Sequence, residues 1–298
     1  MDKAVAKAAD FSNPIDAADR RVVTAPSFRV VIESNSPWKF VDFQDLWRFR
    51  ELLFFLALRD IKVRYKQTVL GAAWAILQPA MMMTIFTFFF HRLGKLSSGT
   101  MPYSLFAVAG LLPWMLYSQA VTQASNSIIG SERLISKIYF PRLLVPLASI
   151  GAVIVDFLIG CSLLVFMMAF HGYAPSAQFP VALLALTALL LHAAAAGILL
   201  AALNVRFRDF RYVVPFCIQL LMFATPTIYM ELPKSHDPLF AVLLFNPITS
   251  IVQAFRVGLL GGDIPWVGLC IGFASGVIAL VLAIVVFRRF EDGFADVL

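Results

Sequence analysis

Residues 143–170 read LLVPLASIGAVIVDFLIGCSLLVFMMAF, with Asp156 as the one charged side chain in an otherwise apolar run. A helix needs about 20 mostly apolar residues to cross the hydrocarbon of a bilayer. This stretch therefore predicts a transmembrane helix. Outward from it, comparable runs at 69–90, 103–124, 180–203, 213–230 and 267–287 predict further spans. In lipid every backbone polar group must be satisfied within the protein, which favours helices. The fold class expected is an all-α integral membrane protein with six transmembrane helices. Composition agrees: 60% of the 298 residues are hydrophobic and 14% are charged, against about 25% charged in soluble domains.

Two segments flank or interrupt this pattern. Residues 38–68 predict an amphipathic interfacial helix, with its strongest pattern at 42–67. Asp42 and Asp45 lie near its start, and Arg59, Lys62, Arg64 and Lys66 near its end, an order that suits the helix dipole. Such a helix can bury one side among acyl chains and offer a basic side to anionic headgroups. Between spans five and six, Pro238–Leu260 is apolar but broken by Asn246-Pro247, a turn signal. Each half is too short to cross, so a re-entrant helical hairpin is expected at about 238–260. A seventh span is the competing reading, and it would put the basic C-terminus outside. Residues 1–37 are polar and lack the apolar core of a signal peptide. They read as a flexible cytoplasmic tail, and 69–298 as the transmembrane domain.

Charge sets the orientation. With both termini inside, only Arg92, Lys95, Lys234 and Arg256 of the 24 Lys and Arg fall outside. Basic residues near spans are retained on the cytoplasmic side, so a multi-pass protein with cytoplasmic termini follows. The net charge of +6 then speaks for membrane lipids as partners and makes nucleic acid unnecessary. The two internal loops on that side, Ser125–Arg142 and Asn204–Tyr212, are short and helical in pattern.

Little in the chain points to chemistry. There is no phosphate-binding loop and no His/Glu pair at metal spacing, so no catalytic residue and no metal are expected. Cys161, Cys217 and Cys270 each lie in apolar runs and read as small buried hydrophobes. Asp156 is an intramembrane carboxylate, which is costly there and a functional candidate by default. It reads here as a hydrogen-bonded packing residue, because His192 is the only other clear member of any proton relay. Two stripes at helical spacing mix aromatic and polar groups: Trp74, Gln78, Met81 and Ile85, and Phe216, Gln219, Phe223 and Thr227. With Phe89 and Tyr229, most of these aromatics read as packing or interface anchors, and a minority of them, with Gln78 and Gln219, as candidates to line a substrate pathway, since aromatic faces stack on sugar rings. Pro79 is expected to kink the first span. Arg206, Arg208 and Arg211 bracket Asp209; each alone reads as positive-inside topology, and together with the basic end of the interfacial helix they form two cationic clusters suited to phosphate or to a docked partner.

Several segments together carry a resemblance. LRDIKVRYKQ (58–67) runs into LGAAWAILQP (70–79), followed by NVRFRD (204–209), TPTIY (225–229), Asn246-Pro247 and Phe255-Arg256. This ordered set resembles the permease subunit of type-2 ABC transporters, in particular bacterial exporters of O-antigen, capsule and teichoic acid, over about residues 40–298. The resemblance implies a homodimer of six-span subunits in the inner (cytoplasmic) membrane, with two copies of a separate ABC ATPase. ATP and Mg would be bound by that partner, and no cofactor by this chain. It implies coupling helices at about 126–138 and 204–212, making Ser131, Glu132, Arg133, Lys137 and Asp209 candidates for ATPase coupling. It also implies a glycan carried on undecaprenyl pyrophosphate as substrate. Arg59, Lys62, Arg64, Lys66, Arg206 and Arg208 become candidates for the pyrophosphate, and the 238–260 hairpin matches the outer gate. The alternatives are a type-2 permease for a drug or lipid, a secondary carrier, and a membrane-embedded enzyme. Paired internal repeats would favour the carrier and convergent His, Asp or Glu groups the enzyme; neither is found.

Overall fold

A computed structural model describes residues 47–66, 68–93, 101–225, 246–291 and 293–294. Tyr229, Thr227, the tail 1–37, the start of the interfacial helix and the first half of the hairpin (238–245) lie outside the described residues. Within them the chain is helical: α1 (Arg50–Tyr65), α2 (Trp74–Phe86), α3 (Tyr103–Gly130), the short α4 (Glu132–Ile135), α5 (Leu144–Phe170), α6 (Phe179–Arg206), α7 (Phe210–Phe223), α8 (Pro247–Leu260) and α9 (Trp266–Glu291). A 3-10 turn at Gly71–Ala73 leads into α2, and a π-helical stretch, Thr87–Leu93, continues it. Five helical stretches, Gly71–Phe90, α3, α5, α6 and α9, are long and apolar enough to cross a membrane. They match the first, second, third, fourth and sixth predicted spans. The predicted fifth span begins as α7, whose 14 described residues reach about 21 Å at 1.5 Å per residue.

The helix α3 is the inner one, with 78% of its most apolar window buried. It packs on α6, α5, α2 and α8, and α7 lies against it and α6. Small residues make the tightest crossings, as expected where lipid supplies no hydrophobic drive between helices. A Cβ on Gly197 of α6 would lie 2.6 Å from Cβ of Ala124 on α3. At Gly258 of α8 it would lie 2.5 Å from the backbone nitrogen of Ala182 on α6. A Gly258→Leu substitution should therefore unseat α8 and lower stability by about 1–3 kcal/mol or more through overpacking. Thermal melting of the purified protein reads this, and an unchanged midpoint would contradict it.

Asn246-Pro247 starts a helix, which covers the second half of the segment read as a hairpin. The Asn246 side chain accepts from the Ile248 backbone N–H at 3.1 Å and donates to Thr225 Oγ1 at 2.9 Å. This is an N-cap followed by proline at the first helical position, where its missing donor does no harm. The 14 residues of α8 are too short to cross about 30 Å of hydrocarbon, in line with the re-entrant reading of this half. Helix α8 is nonetheless well covered: Ile251, Val252, Ala254 and Phe255 are buried. So is Arg256, whose guanidinium sits 3.7 Å from the centre of the Phe106 ring, a cation–π contact.

Two helices stand apart from this packing. Only 6% of the Gly71–Phe90 window is buried, and Val214 is the one buried side chain of α7. Both touch the same end of α3. Met82, Met83, Phe86 and Phe90, together with Met222 of α7, pack on Tyr103, Phe106, Ala107 and Leu111. The cysteines depart from expectation, because Cys217 and Cys270 are exposed in the single subunit and Cys161 is half-buried. All three sit on helix faces that the subunit itself leaves partly uncovered.

Candidate functional site

The helix α1 lies along α5 and does not present one basic face. Leu56 is its buried anchor. Asp60 accepts from Ser149 of α5 at 3.1 Å and from Arg59 at 2.9 Å. Arg59 also donates to Ser131 at 3.2 Å. At the far end of the helix, Arg64 forms an ion pair with Asp156, and the Tyr65 hydroxyl donates to the same carboxylate. Asp156 is thus a paired packing residue, as its sequence context suggested. Lys62 and Lys66 stay exposed. The basic residues Arg59, Lys62, Arg64 and Lys66 are thus divided: Arg59 and Arg64 are held by carboxylates, and Lys62 and Lys66 are free to meet headgroups.

A cleft of about 430 Å³ opens where this pair meets the first span. Gly71, at φ 51°, takes the left-handed conformation that lets the chain turn from α1 into α2. From α2 the cleft receives Trp74 and Gln78, one helical turn apart and so on one face. From α3 it receives Leu112, Met115, Gln119 and Gln123. Arg64, Tyr65 and Thr68 lie at one side, and Val153, Asp156 and Phe157 of α5 close another. Burial lowers the Arg64 pKa from its ordinary value, and the neighbouring Tyr65 and Asp60 oppose that shift. Arginine starts so far above neutrality that it remains a cation. Burial also raises the Tyr65 pKa, opposed by Arg64.

The structure brings Trp74, Gln78 and Arg64 into one cleft, but not the other pathway candidates. Phe89 is exposed beyond α2, and Phe216, Gln219 and Phe223 are exposed along α7. Sequence reading missed Gln119, Gln123 and Met115. The signal was present: Leu112, Met115, Gln119 and Gln123 follow at spacings of three and four, placing two amides on one stripe of an apolar span.

A second constellation forms at the basic end of the bundle. The first loop holds the short α4, and Glu132, Arg133 and Lys137 are exposed there while Ser131 is buried. The second loop is no helix of its own: α6 runs through Arg206 and α7 starts at Phe210, leaving a three-residue turn, 207–209. Arg208 and Asp209 are exposed in it. The two loops are joined from below their surface. Asn204, fully buried, donates to the Ser125 carbonyl at 3.0 Å and to Asn126 Oδ1 at 3.1 Å. The end of α9 ties both loops. The Arg142 backbone N–H donates to Glu291 Oε1 at 3.3 Å, and the Arg142 guanidinium donates to the Glu291 carbonyl. Arg206 stacks over Phe207 at 5.6 Å and over Phe290 at 5.3 Å. Replacing Asn204 by Leu should lower stability by about 0.6–1.7 kcal/mol, the range for such bonds between membrane helices. Equilibrium unfolding in mixed micelles measures it, and a variant as stable as the parent would contradict the inferred tie.

Among the described residues no group of His, Cys, Asp or Glu is arranged to hold a metal. A family model described as "ABC-2 type transporter" matches residues 51–260. The O-antigen export system permease protein RfbA of Klebsiella pneumoniae is 26% identical over 252 residues, covering 83% of this chain and 95% of its own length. RfbA of Myxococcus xanthus is 28% identical over 217 residues, covering 72% and 82%. The polysialic acid transport protein KpsM of Escherichia coli is 24% identical over 223 residues, covering 70% and 81%.

Proposed function

Since this chain belongs to the ABC-2 type transporter family, we propose that it is the membrane-spanning subunit of an ATP-driven exporter of a lipid-linked, O-antigen-like polysaccharide. It is a transport permease. ATP and Mg bind to a separate ABC ATPase, present in two copies, and the chain itself carries no cofactor. Two permease subunits pair in the inner membrane with their termini in the cytoplasm. The glycan is carried on undecaprenyl pyrophosphate and starts from the cytoplasmic side.

The observation that carries this reading is the exposure of the first span. Among the long spans, Gly71–Phe90 and α3 have the lowest hydropathy. For α3 burial explains it. The first span is almost wholly uncovered, and its open surface carries Trp74 and Gln78 beside apolar residues. A surface with that composition is less suited to lipid than to another subunit or a hydrated pathway. The sparsely covered α7 flanks α3 as well. A second subunit facing these helices would enclose a passage lined with aromatic and polar groups. Many weak contacts suit a moving chain, because transport needs binding loose enough to release. At the basic end, the exposed Ile138, Tyr139, Phe207 and Tyr212 stand among exposed charges and offer the ATPase a mixed apolar and ionic footing. Closure of the ATPases would push on α4 and the 207–209 turn, and rigid helices would pass the movement on to the outer gate.

Deletion of the gene in its host tests the reading. Lipid-linked glycan should accumulate on the cytoplasmic leaflet and disappear from the cell surface. Normal surface glycan in the deletion strain would contradict it. Light scattering of the purified particle should give two copies of the 33.0 kDa chain; a monomer would remove the enclosed passage.

A further inference from the structure

Inference about the cleft beside α1 rests on the exporter reading and sharpens it. We propose that this cleft holds a neutral, hydroxylated sugar ring of the transported chain, and that the pyrophosphate sits elsewhere. The charges decide this. Among the described residues Arg64 is the one basic residue lining the cleft, and Asp156 lines it too. The two are paired, with the Tyr65 hydroxyl also on the carboxylate. Formal charge in the cleft therefore cancels. A pyrophosphate placed there would gain no net cation and would lie against a carboxylate, an arrangement that like charges disfavour.

What remains in the cleft is a set of primary amides. Gln78, Gln119 and Gln123 converge from two helices, and each offers two donors and a carbonyl acceptor. Sugar hydroxyls, each both donor and acceptor, match that set. Trp74 stands at the rim, half exposed, with an indole face whose negative quadrupole suits the polarised C–H groups of a pyranose. The volume of about 430 Å³ lies within the about 300–1,000 Å³ typical of small-ligand sites. Asp156 acts here as a specificity-determining residue: it cancels Arg64 and so tunes the cleft for a neutral ring. The free cations nearby, Lys62 on the same helix and Lys66 just past its end, are outside the lining and stay available to phosphate at the membrane surface.

The test uses the full chain in phosphatidylethanolamine nanodiscs and saturation-transfer NMR on ring protons. The probes are hexyl glucoside, hexyl galactoside and hexyl N-acetylglucosaminide, with hexyl phosphate as the anionic control. At least one glycoside should show ring-proton transfer that hexyl phosphate does not displace. Its binding should weaken about ten-fold in Q119L/Q123L, as expected for lost hydrogen bonds. Trp74→Ala should weaken it as well and serves as the second variant if the amide pair fails to fold. Hexyl phosphate should bind in the cleft only after Asp156→Asn, which frees the Arg64 charge. Displacement of the glycoside by hexyl phosphate in the wild type would overturn the proposal. So would an equal signal in wild type and variants, or no ring-proton transfer from any glycoside. None of these results bears on whether deletion of the gene stops export, so the exporter reading stands or falls separately.

Discussion

Asp156→Ala is expected to destabilise the subunit more than any single truncation of an apolar residue on the lipid-facing helices. Its side chain is 13% exposed and that of Arg64 25%. Removing the carboxylate leaves the guanidinium half-buried with its charge uncompensated, and leaves the Tyr65 hydroxyl without its acceptor. Breaking a buried ion pair from one side costs about 3–5 kcal/mol. Replacing both partners by apolar residues of similar volume is often close to neutral. The double variant R64L/D156L should therefore recover most of what D156A loses. The pair joins α1 to α5, so the loss should free α1 first, with faster proteolysis near Arg59 than within the spans. Melting in nanodiscs and limited proteolysis measure the two effects. A single variant as stable as the double would show that the pair holds nothing together.

The second large effect is expected at the basic end, with the opposite signature. Ile138, Tyr139 and Phe207 on the two loops, and Tyr212 in the first turn of α7, are exposed large side chains, Tyr139 and Tyr212 by 77% and 78%. Substitution at an exposed position usually changes stability by no more than about 0.5 kcal/mol. Tyrosine at the centre of an interface can contribute 2 kcal/mol or more to binding, a factor of about 30 in affinity. The variants Tyr139→Ala and Tyr212→Ala should insert and melt as the parent does, yet release the ATPase and lose export. Scrambling Glu132 through Lys137 should uncouple hydrolysis from export in the same way, with the protein still folded. Pull-down of the ATPase, paired with melting of the permease alone, separates docking from folding. Normal export by these variants would remove the coupling role from both loops.

The contrast between the two sites explains what was legible in the sequence. Runs of apolar residues placed the long helices to within a few residues, because span length is set by the bilayer and not by tertiary contacts. Which face of a span is inner was far less legible. In water, burial selects apolar residues; in lipid, the outer face is apolar too. The buried α3 has the lowest hydropathy among the long spans, and α9, with 22% of its window buried, the highest. Periodicity therefore says little about packing, and Gln119 and Gln123 went unremarked inside α3. Asp156 was conspicuous because a charge is rare there, and its packing role was legible. Its partner was not, because Arg64 lies on a separate helix, and Arg59, Lys62, Arg64 and Lys66 look equivalent until α5 is placed beside them. The second loop was read as a helix across 204–212 because its pattern is continuous with the helices on each side; the structure puts a tight turn at 207–209 within that pattern. Asn246-Pro247 carries the signals of both a turn and a helix start, and the Asn246 cap shows the helix start.

Reconstitution tests the central claim most directly. The permease and its ATPase are placed in liposomes with undecaprenyl-pyrophosphate-linked glycan in the outer leaflet, the nucleotide-binding side facing the medium. On addition of ATP, glycan should pass into the lumen, where an entrapped glycosidase cleaves it, and the glycan should stimulate hydrolysis. Glycan that stays accessible only from the medium while ATP is consumed, or that crosses equally well without the ATPase, would contradict the account.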